Sequence, residues 1–137
     1  MLMIDKLSSK PVYEQIIEGI EKNILLGIYP LGGLLPSLRE LSVTLNINPN
    51  TIQKSYTELT RRGIIKPSPG SGCYVSLEAK DIIRQKALEK LEDIRVLSED
   101  LRLAGVAKEE ILATVSAVYV QISDNSDKNS HQGGTQA

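Results

Sequence analysis

Apolar and polar positions follow a helical rhythm through the first half of the chain. Tyr13, Ile16, Ile17, Ile20 and Ile24 share one stripe, which predicts a first helix. It would begin at Pro11, a residue favoured at the first helical position, and stop at Gly27 with Pro30 just beyond. The connector Pro30-Leu31-Gly32-Gly33-Leu34-Leu35-Pro36 leaves room for a very short strand. Ser37 then caps a second helix, with Glu40 three residues on to complete a capping box. Leu38, Leu41 and Leu45 face inward, and this helix ends near Asn46. A third starts at once, with Asn48 as cap and Pro49 at the first position. Ile52, Ser55, Tyr56 and Leu59 form its apolar face, and Gly63 closes it. Two helices joined by so tight a turn have the signature of a helix-turn-helix.

Two β-prone runs follow, Ile64-Ile65-Lys66-Pro67 and Cys73-Tyr74-Val75, around the turn Ser68-Pro69-Gly70-Ser71-Gly72. They predict a hairpin in which Pro67, unable to donate to a ladder, restricts the first strand to an edge or a strand end. A helix-turn-helix followed directly by a hairpin is a winged helix. From Ala79 to Ala104 the pattern is helical again, with Ile83, Ala87, Leu91, Ile94, Leu97 and Leu101 near heptad spacing. Gly105 breaks it. Lys108-Glu109-Glu110 opens a last helix that carries Ile111, Val115, Val118, Tyr119 and Ile122. A two-helix hairpin of this size has too little company to bury both stripes. Because the winged helix has its own core, a second copy of the chain is expected to cover them. The expected dimer face is Ile83, Ala87, Leu91, Ile94, Leu101, Val115, Val118, Tyr119 and Ile122. Residues 123–137 are polar and are expected to be disordered. The fold class is therefore mainly α with a small β-hairpin. A winged helix-turn-helix spans residues 1–77, a helical dimerisation hairpin 78–122, and a polar tail 123–137.

Composition narrows the class. At 137 residues, with 41% hydrophobic and 24% charged side chains, the chain is ordinary for a soluble globular protein. No apolar run reaches the roughly eighteen residues of a membrane span. Met1-Leu2-Met3-Ile4-Asp5-Lys6 lacks the pattern of a secretory signal, so a cytoplasmic protein without membrane contact is expected. Cys73 is the only cysteine and reads as a small buried side chain. His131 is the only histidine and lies in the polar tail. No base sits beside a nucleophile, no Cys/His spacing suits a metal, and no phosphate-binding glycine motif follows a strand. The expectation is no enzyme, no cofactor and no metal. Net charge is −1, but residues 34–77 hold five basic against two acidic side chains, and residues 78–137 hold eight against eleven. A weakly basic segment followed by an acidic one fits a DNA-reading unit joined to a unit that does not touch DNA.

The third helix has a second face, formed by Asn50, Gln53, Lys54 and Thr57. Amides suit adenine edges, Lys suits phosphate or guanine, and Thr suits phosphate or a thymine methyl. On an isolated helix such a face would simply meet water; between a tight turn and a wing it reads as the DNA face. The N-terminus of that helix, where Asn48 is counted among the candidate DNA-binding residues, also suits phosphate. Arg39 opens the second helix, which crosses the backbone in this motif class; its other reading is a surface ion pair. Lys66, Ser68, Gly70, Ser71 and Gly72 form the wing, whose glycines permit close backbone approach or merely make the turn.

These residues also carry a resemblance. Pro11-Val12-Tyr13-x-Gln15-Ile16, Gly27-x-Tyr29-Pro30-x-Gly32-x-x-Leu35-Pro36-Ser37-x-Arg39-Glu40-Leu41 and Asn46-Ile47-Asn48-Pro49-Asn50-Thr51-Ile52-x-x-x-Tyr56-x-x-Leu59 are ordered as in the GntR family of bacterial regulators. Gly63-Ile64-Ile65 and Gly70-x-Gly72-x-Tyr74-Val75 continue the match. Within that family, Asn48-Pro49-Asn50-Thr51 and the short C-terminal part resemble the YtrA-type subfamily. The resemblance implies a homodimer on an inverted-repeat operator in double-stranded DNA, dimerised by the C-terminal helices, with repression as the usual mode. It also implies DNA contacts at Arg39, Asn50, Thr51, Gln53 and the wing glycines. Pro49 and Cys73 depart from the wider family, which carries Arg near the start of the third helix and commonly a hydroxyl residue in place of Cys73. The competing reading is a winged helix used for protein contact or assembly, since fold does not fix function. A small-molecule effector, unidentified by the sequence, would need a pocket at the dimer interface, because a two-helix hairpin hardly encloses one.

Overall fold

The computed structural model describes residues 2–133, with side chains described as far as Val120. Its elements are α1 (Val12–Leu25), α2 (Leu38–Leu45), α3 (Pro49–Arg61), β1 (Ile65–Ser68), β2 (Gly72–Val75), α4 (Ala79–Leu88), α5 (Lys90–Leu103) and α6 (Lys108–Gly133). They divide into two compact units, the first ending at Leu88 and the second beginning at Glu89.

The apolar stripes read from the sequence make the core of the first unit. Ile16, Ile20 and Ile24 of α1 meet Ile52 and Leu59 of α3, all fully buried, with Ile64, Ile65 and Val75 of the hairpin closing one end. The one polar residue on α3's inner face is satisfied across the seam: the buried Ser55 hydroxyl donates to the Tyr13 carbonyl at 2.8 Å. α2 is short because both ends are fixed locally. Ser37 Oγ accepts from the Glu40 amide at 3.0 Å, and Asn46 ends the helix in the left-handed region at φ 52°. α3 follows after Asn48, whose Oδ1 accepts from the Asn50 amide at 2.8 Å.

β1 and β2 pair antiparallel, with Pro67 opposite Cys73. The connector supplies the short strand for which its sequence leaves room. Leu34 bridges to Tyr74, the Gly32 amide donates to the Val75 carbonyl, and the Leu35 amide donates to the Cys73 carbonyl. β2 is thus flanked on both sides, which leaves Pro67 on an edge strand where its missing N–H costs nothing.

The continuous helix predicted over 79–104 is instead two, separated by Glu89. α4 packs on α1 in the first unit; Ala79 is fully buried there and Ile83 is 7% exposed. The compact unit therefore extends beyond residue 77, and Ile83 is a core residue of the winged helix, not part of a dimer face. Its apolar partners at i−4 and i−1, Ala79 and Ile82, give α4 a buried stripe of its own. The helical backbone of α6 also continues past Ile122 to Gly133, where disorder was expected from residue 123. No glycine or proline interrupts the chain between Gly105 and Gly133. The rest of the expected tail, residues 134–137, lies outside the described residues, as does the side chain of Ile122.

In the second unit Gly105, at φ +87°, makes the turn between α5 and α6. No side chain of α5 is buried, and Leu91, Ile94, Leu101, Val115, Val118 and Tyr119 are all exposed within one chain.

Candidate nucleic-acid interface

The face of α3 opposite Ser55 and Leu59 carries Asn50, Gln53, Lys54 and Thr57, and all four are exposed. Gln53 Nε2 donates to Thr57 Oγ1 at 3.1 Å, one turn along the helix. That bond uses one of the two amide N–H groups and leaves the other free beside the carbonyl. The pair that remains is the one an adenine edge requires, so Thr57 can orient Gln53 without consuming its reading groups.

Lys54 stands at the margin of this strip. Its ammonium lies 3.8 Å from the centroid of the Tyr13 ring, a cation–π contact that turns it toward α1. The Tyr13 hydroxyl donates to Glu14 Oε1 at 3.2 Å, and that carboxylate raises the phenol's pKa, first by the hydrogen bond and then by its charge. Asn48, expected among the DNA residues, spends its Oδ1 on the α3 cap. Thr51, also expected there, is half-buried.

A groove of about 560 Å³ runs beside the strip between α2, α3 and the wing. Pro36, Leu38, Tyr56, Pro67 and Cys73 line it together with Arg39, Gln53, Thr57 and Gly72. Tyr56 fixes its floor by donating to the Pro36 carbonyl, and burial pushes its phenol well above the ordinary range. Cys73 is half-buried, and burial raises its thiol as well, consistent with an unreactive packing role. Arg39 is exposed at the rim and makes no hydrogen bond or ion pair among the described residues. The structure thus brings Arg39 of α2, Gln53 and Thr57 of α3, and Gly72 of the wing to one concave surface.

The wing carries the remaining expected residues. Lys66 Nζ is 3.6 Å from Glu78 Oε2, but both side chains are largely exposed, a pairing worth little in water. Ser68 accepts from the Ser71 amide through its carbonyl at 2.9 Å, and Gly70 and Gly72 take φ of +77° and +96°, which a side chain would resist. Ser71 is exposed at the tip.

Not all of the local positive charge is available to a ligand. Arg62 pairs with Glu21 at 2.9 Å and with Glu58 at 3.0 Å, and Arg61 pairs with Glu58 at 2.6 Å. Arg62 joins α1 to the end of α3 through Glu21, while the two Glu58 pairs lie within one turn of α3 and its cap. Sequence reasoning missed the Arg62–Glu21 pair, the Tyr13–Lys54 contact and the groove floor, because each depends on how α1 and α2 pack against α3.

The chain is similar to known proteins in sequence and in fold. Residues 12–75 match the family model described as "Bacterial regulatory proteins, gntR family". The chain is 41% identical over 123 residues to the HTH-type transcriptional repressor YtrA of Bacillus subtilis, covering 89% of this chain and 95% of that protein. Among solved structures, a GntR family transcriptional regulator from Listeria monocytogenes superposes with a TM-score of 0.68 at 33% identity, over 83% of this chain and 98% of that one. YtrA from Sulfolobus acidocaldarius, a GntR-family transcription factor, superposes with a TM-score of 0.53 at 32% identity, over 66% of this chain and 97% of that one.

Proposed function

Because the chain belongs to the gntR family of bacterial regulatory proteins and is a transcription regulator with a helix-turn-helix DNA-binding domain, we propose that it is a repressor that binds an inverted-repeat operator as a homodimer. The observation that carries the reading is the exposed strip Asn50–Gln53–Thr57, continuous with Arg39 and Gly72 around one groove. In this reading α3 enters the major groove, α2 crosses the backbone through Arg39, and the wing reaches the adjacent phosphates through Lys66, Ser71 and its glycines. The repressor named in Bacillus subtilis supports the direction of regulation. No described helix is long and apolar enough to cross a membrane, and the site of action is taken to be the cytoplasm, where operator DNA is met.

The apolar residues exposed on α5 and α6 support the dimer. Leu91, Ile94, Leu97, Val115 and Val118 are each more than two-fifths exposed in one chain, a patch that a second copy would cover. Pairing also answers an energetic need. One winged helix touches little DNA, whereas two linked copies gain roughly 10²-fold or more in apparent affinity and tie recognition to half-site spacing.

Selection from a random duplex pool by the full chain tests this. The expected product is an inverted repeat with half-sites about one helical turn apart, bound by two chains. Gln53→Ala should lose about 1–3 kcal/mol on the selected sequence and little on scrambled DNA. No enrichment over the starting pool, or equal loss on both duplexes, would contradict the assignment of α3 as the reader.

A further inference from the structure

The segment ahead of α1 is held in place by the first unit. The Gln15 side chain grips it from α1: Oε1 accepts from the Asp5 amide at 2.8 Å, and Nε2 donates to the Asp5 and Lys10 carbonyls at 2.9 Å each. Leu2 is 7% exposed and packs where Gly19 leaves room; a Cβ there would stand 2.2 Å from Leu2 Cδ2. Asp5 turns its carboxylate onto its own backbone, accepting from the Leu7 amide at 3.0 Å.

Lys6 is thereby carried to the helix-turn-helix. Its ammonium donates to the carbonyl of Asn46 at 3.1 Å, across forty residues of sequence. Asn46 ends α2 and lies two residues before Asn48, the α3 cap. Lys6 is exposed and forms no ion pair among the described residues. By contrast Lys10, on the same arm, is committed to Glu18 at 2.8 Å.

We propose that Lys6 is a further DNA contact, which donates to a phosphate beside the start of α3; this rests on α3 being the reading helix. An ammonium has three donors, so the bond to Asn46 can persist while another N–H meets the backbone. The spacing also fits. Arg39 in the first turn of α2 and Asn46 at its C-cap lie seven residues apart, about 10 Å at the helical rise. The major groove is about 12 Å wide. The backbone at Arg39 and the Asn46 carbonyl that holds Lys6 therefore stand roughly a groove's width apart, which suits phosphates on its two rims. The arm pays its ordering entropy in the free protein, because Gln15 and Leu2 already fix it.

Salt titrations of the full chain, read by fluorescence anisotropy on the selected duplex and on a scrambled duplex, test the proposal. Lys6→Ala should weaken both by roughly tenfold per bound subunit at 50 mM salt, and the log–log salt slope should become shallower by about one per subunit. Lys6→Arg should restore both, and Lys10→Ala should leave the slope unchanged. An unchanged slope for Lys6→Ala would overturn the proposal, whether affinity is retained or falls; the second outcome would make Lys6 a structural tie to Asn46. Failure of the wild-type chain to bind either duplex would overturn the reading of α3, and this inference with it.

Discussion

Glu58 and its arginines show how side chains of one helix are divided between holding the domain and meeting a ligand. Glu58 faces Arg61 and Arg62, whose hydrogen bonds hold its carboxyl at about 2, against an ordinary value near 4.5. Because the folded value lies below the unfolded one, the stabilisation is complete above about pH 4.5 and is lost as pH falls toward 2. Glu58→Gln should therefore flatten the acid limb of the urea-unfolding midpoint between those values; an acid limb identical to wild type would refute the linkage. Through Arg62 the network ties α1 to α3, and Arg39, Lys54, Lys66 and Lys6 are the cations that the proposed reading offers to DNA. Spacing along one helix was enough to find Asn50, Gln53 and Thr57, since a residue opposite a buried stripe faces outward. It could not find that Arg62 meets Glu21, forty-one residues away, or that Lys54 rests on Tyr13. Such pairs depend on which helices pack together, and no local pattern encodes that.

Among the elements, α1 to β2 were legible because each carries its own start and stop signals: Pro11, Ser37, Asn48 with Pro49, and the glycines at 63, 70 and 72. α4 was not. Its apolar positions run in register with those of α5, so a single heptad-like stripe masked a change of partner at Glu89. The distinction has an energetic consequence. Ile83 is buried in the winged-helix core, so Ile83→Ala should destabilise the first unit by about 2–5 kcal/mol, as large-to-small core changes do. Denaturant melts followed by the tyrosines of that unit would show it. An unchanged midpoint accompanied by loss of the dimer would return Ile83 to the subunit interface. The arm is a second element that the sequence hid. Residues 2–10 have no periodicity, and their order comes from Gln15 and from the space at Gly19, both of which belong to α1.

For the molecule as a whole, the division at Leu88/Glu89 separates a unit with a complete core from one that leaves its apolar residues in water. In the proposed reading the second gains by pairing, and pairing would turn one reading helix into a two-fold reader of a repeat. The account stands or falls on what the α3 strip touches. The most direct measurement is the side-chain amide resonances of Asn50 and Gln53 in the full, isotopically labelled chain as the selected duplex is added. The account predicts that both shift and saturate at one duplex per two chains, while the amide of Asn23, buried in α1, stays in place. If those two signals held still while resonances elsewhere moved, α3 would not be the element that reads DNA.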